Sequence, residues 1–367
     1  EDCVRVVHGV GMRGLRAPHQ PIDCGNAGTG MRLLCGLLSA QGFDSVLVGD
    51  ESLSKRPMLR VVEPLRQMGA SIDTASNGWP PIRVRGGQAL HGIHYALPVA
   101  SAQVKSALLL AGMYADGETV VLEPHPTRDY TESMLSAFGL QIDYRPGMAR
   151  LVGGQSLRAT QIKVPADFSS AAFFITAACL VPGSDLTLDG VGINPRRTGL
   201  LHALRLMGAN IELSNERISG GERVADIRVR AARLHGADIP ESIVPDMIDE
   251  FPALFAAAAS AEGLTRVSGA AELRVKESDR LASMSSGLRS AGIAVEETPD
   301  GAAIRGGVLQ SALIESHGDH RISMAFAVAA QVAAGEIRIQ DCANVATSFP
   351  DFDRLAQATG MNIQVRD

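Results

Sequence analysis

Residues 167–183 read DFSSAAFFITAACLVPG: a polar start, an alanine-rich apolar run from Phe168 to Val181, and a closing glycine, Gly183. The run falls short of the roughly 20 residues that a membrane-spanning helix needs. It also contains Ser169, Ser170 and Thr176, so a buried core helix is the better reading. The same plan recurs at 26–42 (NAGTGMRLLCGLLSAQG), 101–117 (SAQVKSALLLAGMYADG), 249–263 (DEFPALFAAAASAEG) and 319–335 (DHRISMAFAVAAQVAAG). The closing glycines Gly42, Gly117, Gly183, Gly263 and Gly335 stand about 70 residues apart, too far for a solenoid with the usual repeat of roughly 20 to 50.

Each apolar helix is followed by a short strand rich in β-branched residues, a loop, a second amphipathic helix, and a glycine near another strand. VLVGDESLSKRPMLRVVEPLRQMGASI (46–72) matches LTLDGVGINPRRTGLLHALRLMGANIEL (186–213) in this respect. The unit is therefore a βαβαββ layer, and the fold class is α/β. One such layer cannot hide a helix that is apolar nearly all round, so units must pack together with those helices inside.

Composition agrees with a soluble globular protein: 367 residues, 46% hydrophobic, 20% charged and a formal charge of −6. The length favours two domains. There is no basic excess, and aromatic residues at 4% are too few for a stacking platform, so no nucleic-acid partner is expected. The cysteines Cys3, Cys24, Cys35, Cys179 and Cys342 are odd in number and lack C-x-x-C spacing, which favours neither a disulfide framework nor a zinc site. A reduced cytoplasmic compartment is the default, and no membrane association is expected. The first residues, EDCVRVVHGVG, are a mixed strand-like stretch rather than a signal peptide.

Four of the five loops that enter the second helices carry cations: Lys55 and Arg56, Arg128, Arg196 and Arg197, and Lys276 with Arg280. A helix N-terminus adds unpaired N–H groups, and arginine adds a bidentate fork, so equivalent placement in several units implies a strongly anionic ligand. If ELRVKESDR (272–280) is helical, Lys276 and Arg280 share a face and Glu277 can pair with Arg280. Asp249 and Glu250 precede one buried helix, and Asp319, His320 and Arg321 precede another. Acid, base and cation from separate units could meet as proton transfer coupled to anion binding requires.

GNAGTGMR, KRPM, PVASAQVKSALLLAG, DFSSAAFF, ELRVKESDR, DHRISMAFAVA and ATSFPDF occur in that order. Together they resemble the 5-enolpyruvylshikimate-3-phosphate synthase family over essentially the whole chain. The resemblance implies a two-domain inside-out α/β barrel of βαβαββ repeats, the enolpyruvyl transferase fold, with the active site between the domains. Five of the family's six repeats are present. The domains expected are 1–164, two complete repeats plus the remnant of a missing one, and 165–367, three repeats, with the crossing near Val164 and Pro165. The family opens with a lysine-serine-x-serine-x-arginine repeat that binds both substrates, and nothing like it precedes Glu1. The expectation is a chain lacking about 70 residues by the repeat spacing, with weak or absent turnover.

The activity implied is attack by the 5-hydroxyl of shikimate 3-phosphate on C2 of phosphoenolpyruvate, then loss of phosphate, with no metal and no organic cofactor. The partners are the two small-molecule substrates, and the enzyme is a cytoplasmic monomer when complete. Carried over by resemblance, Asp249 takes the hydroxyl proton, Glu277 serves the methylene carbon, and Lys276 stabilises charge between the substrates. Asn26, Gly28, Thr29, Arg56, Gln103, Arg280, His320 and Arg321 line the phosphoenolpyruvate site. Ser101, Ala102, Gln103, Arg128 and Ser169, with Asp249 and Lys276, hold shikimate 3-phosphate. Ala102 stands where some members have serine, and Ala346 and Thr347 stand where some have a lysine before SFP. Glyphosate occupies the phosphoenolpyruvate pocket in the family, where a methyl at the position of Gly28 crowds it.

Two other readings remain open at this level. A sister enzyme transfers enolpyruvyl to a UDP-amino sugar and uses a loop cysteine as acid, a role for which these cysteines are poorly placed. A copy of the chain that only binds shikimate phosphate, without turnover, is the other.

Overall fold

The computed structural model describes residues 4–366 of the chain. They fall into two compact units, one ending at Lys163 and the other beginning at Val164.

The first unit holds two copies of one module. The first copy runs β1 (Ile22–Asp23), α1 (Gly28–Leu38), β2 (Ser45–Val48), α2 (Leu59–Gln67), β3 (Ser71–Asp73) and β4 (Ile82–Arg85). The second runs β5 (His94–Ala96), α3 (Ala102–Gly112), β6 (Glu118–Leu122), α4 (Tyr130–Ala137), β7 (Ile142–Arg145) and β8 (Met148–Val152). Strand orders are β1-β2-β4-β3 and β5-β6-β8-β7, with one parallel pair at the crossover and antiparallel pairs beyond it. A parallel pair needs a long connection, and here the connection is the alanine-rich helix itself.

The second unit holds three copies. The first has α5 (Phe168–Leu180), β9 (Asp185–Gly192), α6 (Gly199–Leu206), β10 (Asn210–Ser219) and β11 (Glu222–Arg230). The next has α7 (Phe251–Ser260), β12 (Leu264–Val267), α8 (Arg280–Ser290), β13 (Ala294–Thr298) and β14 (Gly301–Arg305). The last has β15 (Ala312–Glu315), α9 (His320–Ala329), β16 (Ile337–Gln340), α10 (Ala343–Ser348) and α11 (Phe352–Ala358).

These copies depart from the expected βαβαββ plan in three places. The opening strand of the third module shrinks to a bridge between Ala166 and Val191, next to Pro165, which has no N–H to give a ladder. That of the fourth is reduced to bridges at His235 and Asp238. The fifth keeps the parallel pair β15-β16 and, among the described residues, has no closing strand pair. Val4 to Gly11, read as strand-like, also has no strand, and Val4, Val6 and Val7 are exposed. β-Branched composition alone does not make a strand without a ladder partner.

The apolar helices are inside, as their composition requires. In the second unit α5, α7 and α9 pack on one another, and every residue of α7 from Phe251 to Ala259 is buried. Burying one such phenylalanine is worth about 1.5–3 kcal/mol. In the first unit α1 packs on α3, and Gly36 marks the close approach: a Cβ there would lie 2.1 Å from the carbonyl oxygen of Ala107. α1 is less enclosed than α7. Met31, Cys35 and Leu38 are buried, whereas Leu33, Leu34 and Leu37 are half-buried. The β10–β11 hairpin closes through Gly220 and Gly221, both at positive φ, as a tight two-residue turn demands.

Candidate active site

In the first unit, polar groups gather at the start of α1. Ala27 precedes the helix and supplies no side-chain cap, so the first-turn amides keep their positive dipole character. Gln103, on the first turn of α3, donates from Nε2 to Thr29 Oγ1 at 2.8 Å and accepts from Arg32 Nη1 at 2.5 Å. Arg56 donates from Nη2 to Asn26 Oδ1 at 2.9 Å, and Asn26 donates in turn to Asp50 Oδ2 at 2.7 Å. Asp50 fixes the following turn by accepting from the Leu53 amide at 2.7 Å. A Cβ on Gly28 would lie 3.2 Å from Arg56 Nη1 and 3.4 Å from Arg32 Nη1, so both guanidiniums lean on the first residue of the helix. Burial, then repulsion from Arg56 and Arg60, holds Arg32 below the usual arginine range. A cluster of mutually repelling guanidiniums at an uncapped helix start is suited to an anion.

Ser101 caps α3 by accepting from the Val104 amide at 3.3 Å, and Ala102 is the first helical residue. One turn on, Lys105 is buried between Glu123 (2.9 Å) and Glu132 (2.7 Å), both also buried. Burial raises the Glu132 carboxyl, more than the attraction of Lys105 lowers it. Arg128 lies on the loop leading into α4, beside Asp129 and Tyr130.

The second unit carries a denser network. Ser169 stands in the first turn of α5, and its hydroxyl donates to Glu250 Oε1 and accepts from Arg197 Nη2. Arg197 also donates from Nη1 to Asp249 Oδ2 at 3.1 Å. Asp249 Oδ1 faces Lys276 Nζ at 3.5 Å and Arg280 Nη1 at 3.8 Å. Arg321 donates from Nη1 to the Asp249 carbonyl at 2.9 Å and lies 3.6 Å from Glu250. Arg280, 1% exposed, gives Nε to Asp319 at 2.8 Å and Nη2 to Glu277 at 2.6 Å. Its Nη1 has no hydrogen-bond partner among the described residues.

Local sequence explains these placements. Asp319 caps α9 by accepting from the Arg321 amide at 2.9 Å, and Asp279 caps α8 through the Ala282 amide at 3.0 Å. The α8 helix therefore begins at Arg280. Lys276 lies before it in extended backbone after a 3₁₀ turn, Ala271–Val275, so Lys276 and Arg280 do not share a helical face as the sequence suggested. The Asp279 cap stops the helix from reaching back. The Glu277–Arg280 pair forms across this junction instead.

Burial and charge set the protonation of the network. Burial pushes the Asp319 carboxyl up, but the charge and hydrogen bonds of Arg280 outweigh it and hold the group below the usual carboxylate range. Burial raises Glu250 more than Arg197 and Arg321 lower it. Burial, helped by Arg321, lowers His320 below its ordinary value, so the imidazole is mainly neutral near pH 7.

Asn26, Gly28, Thr29, Arg56 and Gln103, candidates from the sequence, come together around Arg32, which the sequence does not single out. Arg32 is four residues beyond Gly28 and so lies above it on the same helix face. Ser169, Asp249, Lys276, Glu277, Arg280 and Arg321 join one network, with His320 at its edge. Glu250 and Arg197 link it; the sequence marks one as a carboxylate heading a buried helix and the other as a loop cation, but not their contact. The cysteines offer no activated thiol among the described residues. Burial pushes Cys35 and Cys179 each to about 12 and also raises Cys24 and Cys342. Cys3 lies outside the described residues. No group of three His, Cys, Asp or Glu suited to a metal occurs among the described residues, and no described helix is long and apolar enough to cross a membrane.

Repeated βαβαββ modules around buried alanine-rich helices define an enolpyruvyl-transferase fold. The solved enolpyruvyl transferase NikO from Streptomyces tendae shares it at a TM-score of 0.69 and 17% identity, over 90% of this chain and 76% of that one. The EPSP synthase (3-phosphoshikimate 1-carboxyvinyltransferase) family matches residues 1–355, and the chain belongs to that family. The 3-phosphoshikimate 1-carboxyvinyltransferase of Xanthomonas campestris pv. campestris (strain B100) is 70% identical over 362 residues, 99% of this chain and 83% of that protein. Its counterpart in Xanthomonas oryzae pv. oryzae (strain PXO99A) is 69% identical over 363 residues, covering 99% and 82%. The solved EPSP synthase from Acinetobacter baumannii superposes with a TM-score of 0.92 at 53% identity, over 98% of this chain and 83% of that one.

Proposed function

We propose that the chain transfers the enolpyruvyl group of phosphoenolpyruvate to the 5-hydroxyl of shikimate 3-phosphate and releases phosphate. The observation that carries this reading is Arg280: a buried guanidinium whose Nη1 has no hydrogen-bond partner among the described residues, beside Lys276 and Asp249. A buried donor left unmade costs about 1–3 kcal/mol, so the arrangement makes sense when an anion supplies the acceptor.

Asp249 takes the proton of the 5-hydroxyl as that oxygen bonds to C2 of phosphoenolpyruvate, while Glu277 delivers a proton to C3. In the second step Glu277 takes a proton back from C3, the C2–O bond to phosphate breaks, and phosphate leaves. Lys276 and Arg280 offset the charge that develops between these groups. By the family resemblance, Asn26, Gly28, Thr29, Arg56, Gln103, Arg280, His320 and Arg321 serve phosphoenolpyruvate. Ser101, Ala102, Gln103, Arg128, Ser169, Asp249 and Lys276 serve shikimate 3-phosphate. Domain assignments of 1–164 and 165–367, a cytoplasmic location and a monomeric state belong to the same proposal and rest on the family resemblance.

Calorimetric titration tests it. Heat on adding shikimate 3-phosphate, with phosphate released once phosphoenolpyruvate is also present, supports the reading; heat without turnover favours a copy that only binds, and heat on adding UDP-N-acetylglucosamine replaces it with the sister activity.

A further inference from the structure

We infer that Arg197 is a positioning residue for this reaction: it holds the Asp249 carboxylate and the Ser169 hydroxyl in a fixed mutual arrangement. The inference rests on the functional reading above, in which Asp249 receives the hydroxyl proton.

Arg197 lies on the loop between β9 and α6 and reaches the two residues from outside the elements that carry them. Its guanidinium divides its donors: Nη1 goes to Asp249 Oδ2 at 3.1 Å, and Nη2 goes to Ser169 Oγ with Glu250 Oε1 at 3.5 Å. A planar fork fixes the two acceptors relative to each other, which a flexible ammonium does poorly. Asp249 lies between a 3₁₀ helix, Glu241–Met247, and α7, outside both, so neither element fixes its side chain. Arg321 secures its main chain through the carbonyl oxygen, and Arg197 secures its carboxylate. The Oδ2 contact with Arg197 leaves Oδ1 directed toward Lys276 and Arg280, the side on which the reaction is placed.

Proton bookkeeping at Ser169 points the same way. A hydroxyl has one proton, and that of Ser169 is given to Glu250 Oε1. Ser169 accepts from Arg197 with a lone pair, so in this arrangement it is a strut between Arg197 and Glu250. Glu250 itself is buried at the head of α7, a fixed wall behind the other two.

The test compares Arg197→Lys, Arg197→Met, Asp249→Asn and the double variant Asp249→Asn/Arg197→Met with the unaltered chain, reading kcat, both KM values and calorimetric binding of shikimate 3-phosphate. Misplacing a reacting group by about 1 Å can cost on the order of 10²-fold. Arg197→Met is expected to lower kcat by about that factor, with KM for phosphoenolpyruvate within roughly threefold and KM for shikimate 3-phosphate raised by less than kcat falls, and Arg197→Lys to recover part of the loss. In the Asp249→Asn background, Arg197→Met should cost less than about threefold more, because its effect runs through Asp249. Retained binding of shikimate 3-phosphate by Arg197→Met shows that the fold is intact. Full additivity in the double variant, or unchanged kcat in Arg197→Met, overturns the positioning role. An active Asp249→Asn variant, or no turnover by the unaltered chain, overturns the functional reading first and this inference with it.

Discussion

Arg280 Nη1 lies 3.8 Å from Asp249 Oδ1, while the other two nitrogens of the same guanidinium are held by Asp319 and Glu277. One buried cation thus ties a helix cap, a loop acid and a second acid together, with one nitrogen turned toward Asp249. Arg280→Lys retains charge but loses the fork. It is expected to raise KM for phosphoenolpyruvate by about 10- to 100-fold in steady-state assays, as each lost charge-assisted bond is worth roughly 1.5–3 kcal/mol. Arg280→Met leaves Asp319 buried and unpaired, and urea unfolding should show a loss of about 3–5 kcal/mol.

Gly28→Ala places a methyl 3.2 Å from Arg56 Nη1 and 3.5 Å from Leu53 Cδ1. The guanidinium end can yield, since it is the tip of a flexible side chain, so the fold should survive with little change in thermal midpoint. The anion pocket becomes smaller. KM for phosphoenolpyruvate should rise several-fold, and inhibition by glyphosate, which the family resemblance puts in that pocket, should weaken more. Equal inhibition of the two proteins would contradict the placement of Gly28.

Lys105→Met should cost about 3–5 kcal/mol at neutral pH, because it leaves Glu123 and Glu132 buried without their cation. The sign of the pH dependence follows from Glu132, whose folded pKa is already raised above 4.5, chiefly by burial. The folded state then binds more protons than the unfolded one above pH 4.5, so stability falls as pH rises. The deficit of Lys105→Met should therefore shrink toward acid pH in thermal melts. A deficit independent of pH would mean the triad is not what the substitution disturbs.

The apolar helices were legible in the sequence because α7 and α5 are enclosed on nearly every side, and full enclosure leaves no polar stripe. Strand extent was less legible. Ala166 and Asp238 make single bridges whose length is set by neighbouring prolines and the sheet edge, neither of which a β-branched count reports. Lys105 sits in a stretch that reads as a plain apolar helix, QVKSALLL. Its partners are 18 and 27 residues away, at Glu123 and Glu132, so its burial is a tertiary fact. The same holds for Arg197: its loop reads as one of several cation-bearing loops suited to an anion, and its contacts with Asp249 and Ser169 are made only in the fold.

His320 gives a second pH test, with the opposite slope. Its folded pKa lies below 6.5, first through burial and then through Arg321. The unfolded chain then binds more protons below pH 6.5, so stability should fall as pH drops from 6.5 through the folded value. His320→Asn should flatten that part of the curve of thermal midpoint against pH. A slope unchanged by the substitution would remove His320 as its cause.

Turnover with both substrates, followed by phosphorus NMR of the mixture, separates transfer from binding alone. Inorganic phosphate should be released only when shikimate 3-phosphate and phosphoenolpyruvate are both present, matched one for one by an enolpyruvyl ether at the 5-oxygen. Phosphate released without shikimate 3-phosphate, or no product from the pair, would contradict the proposed transfer.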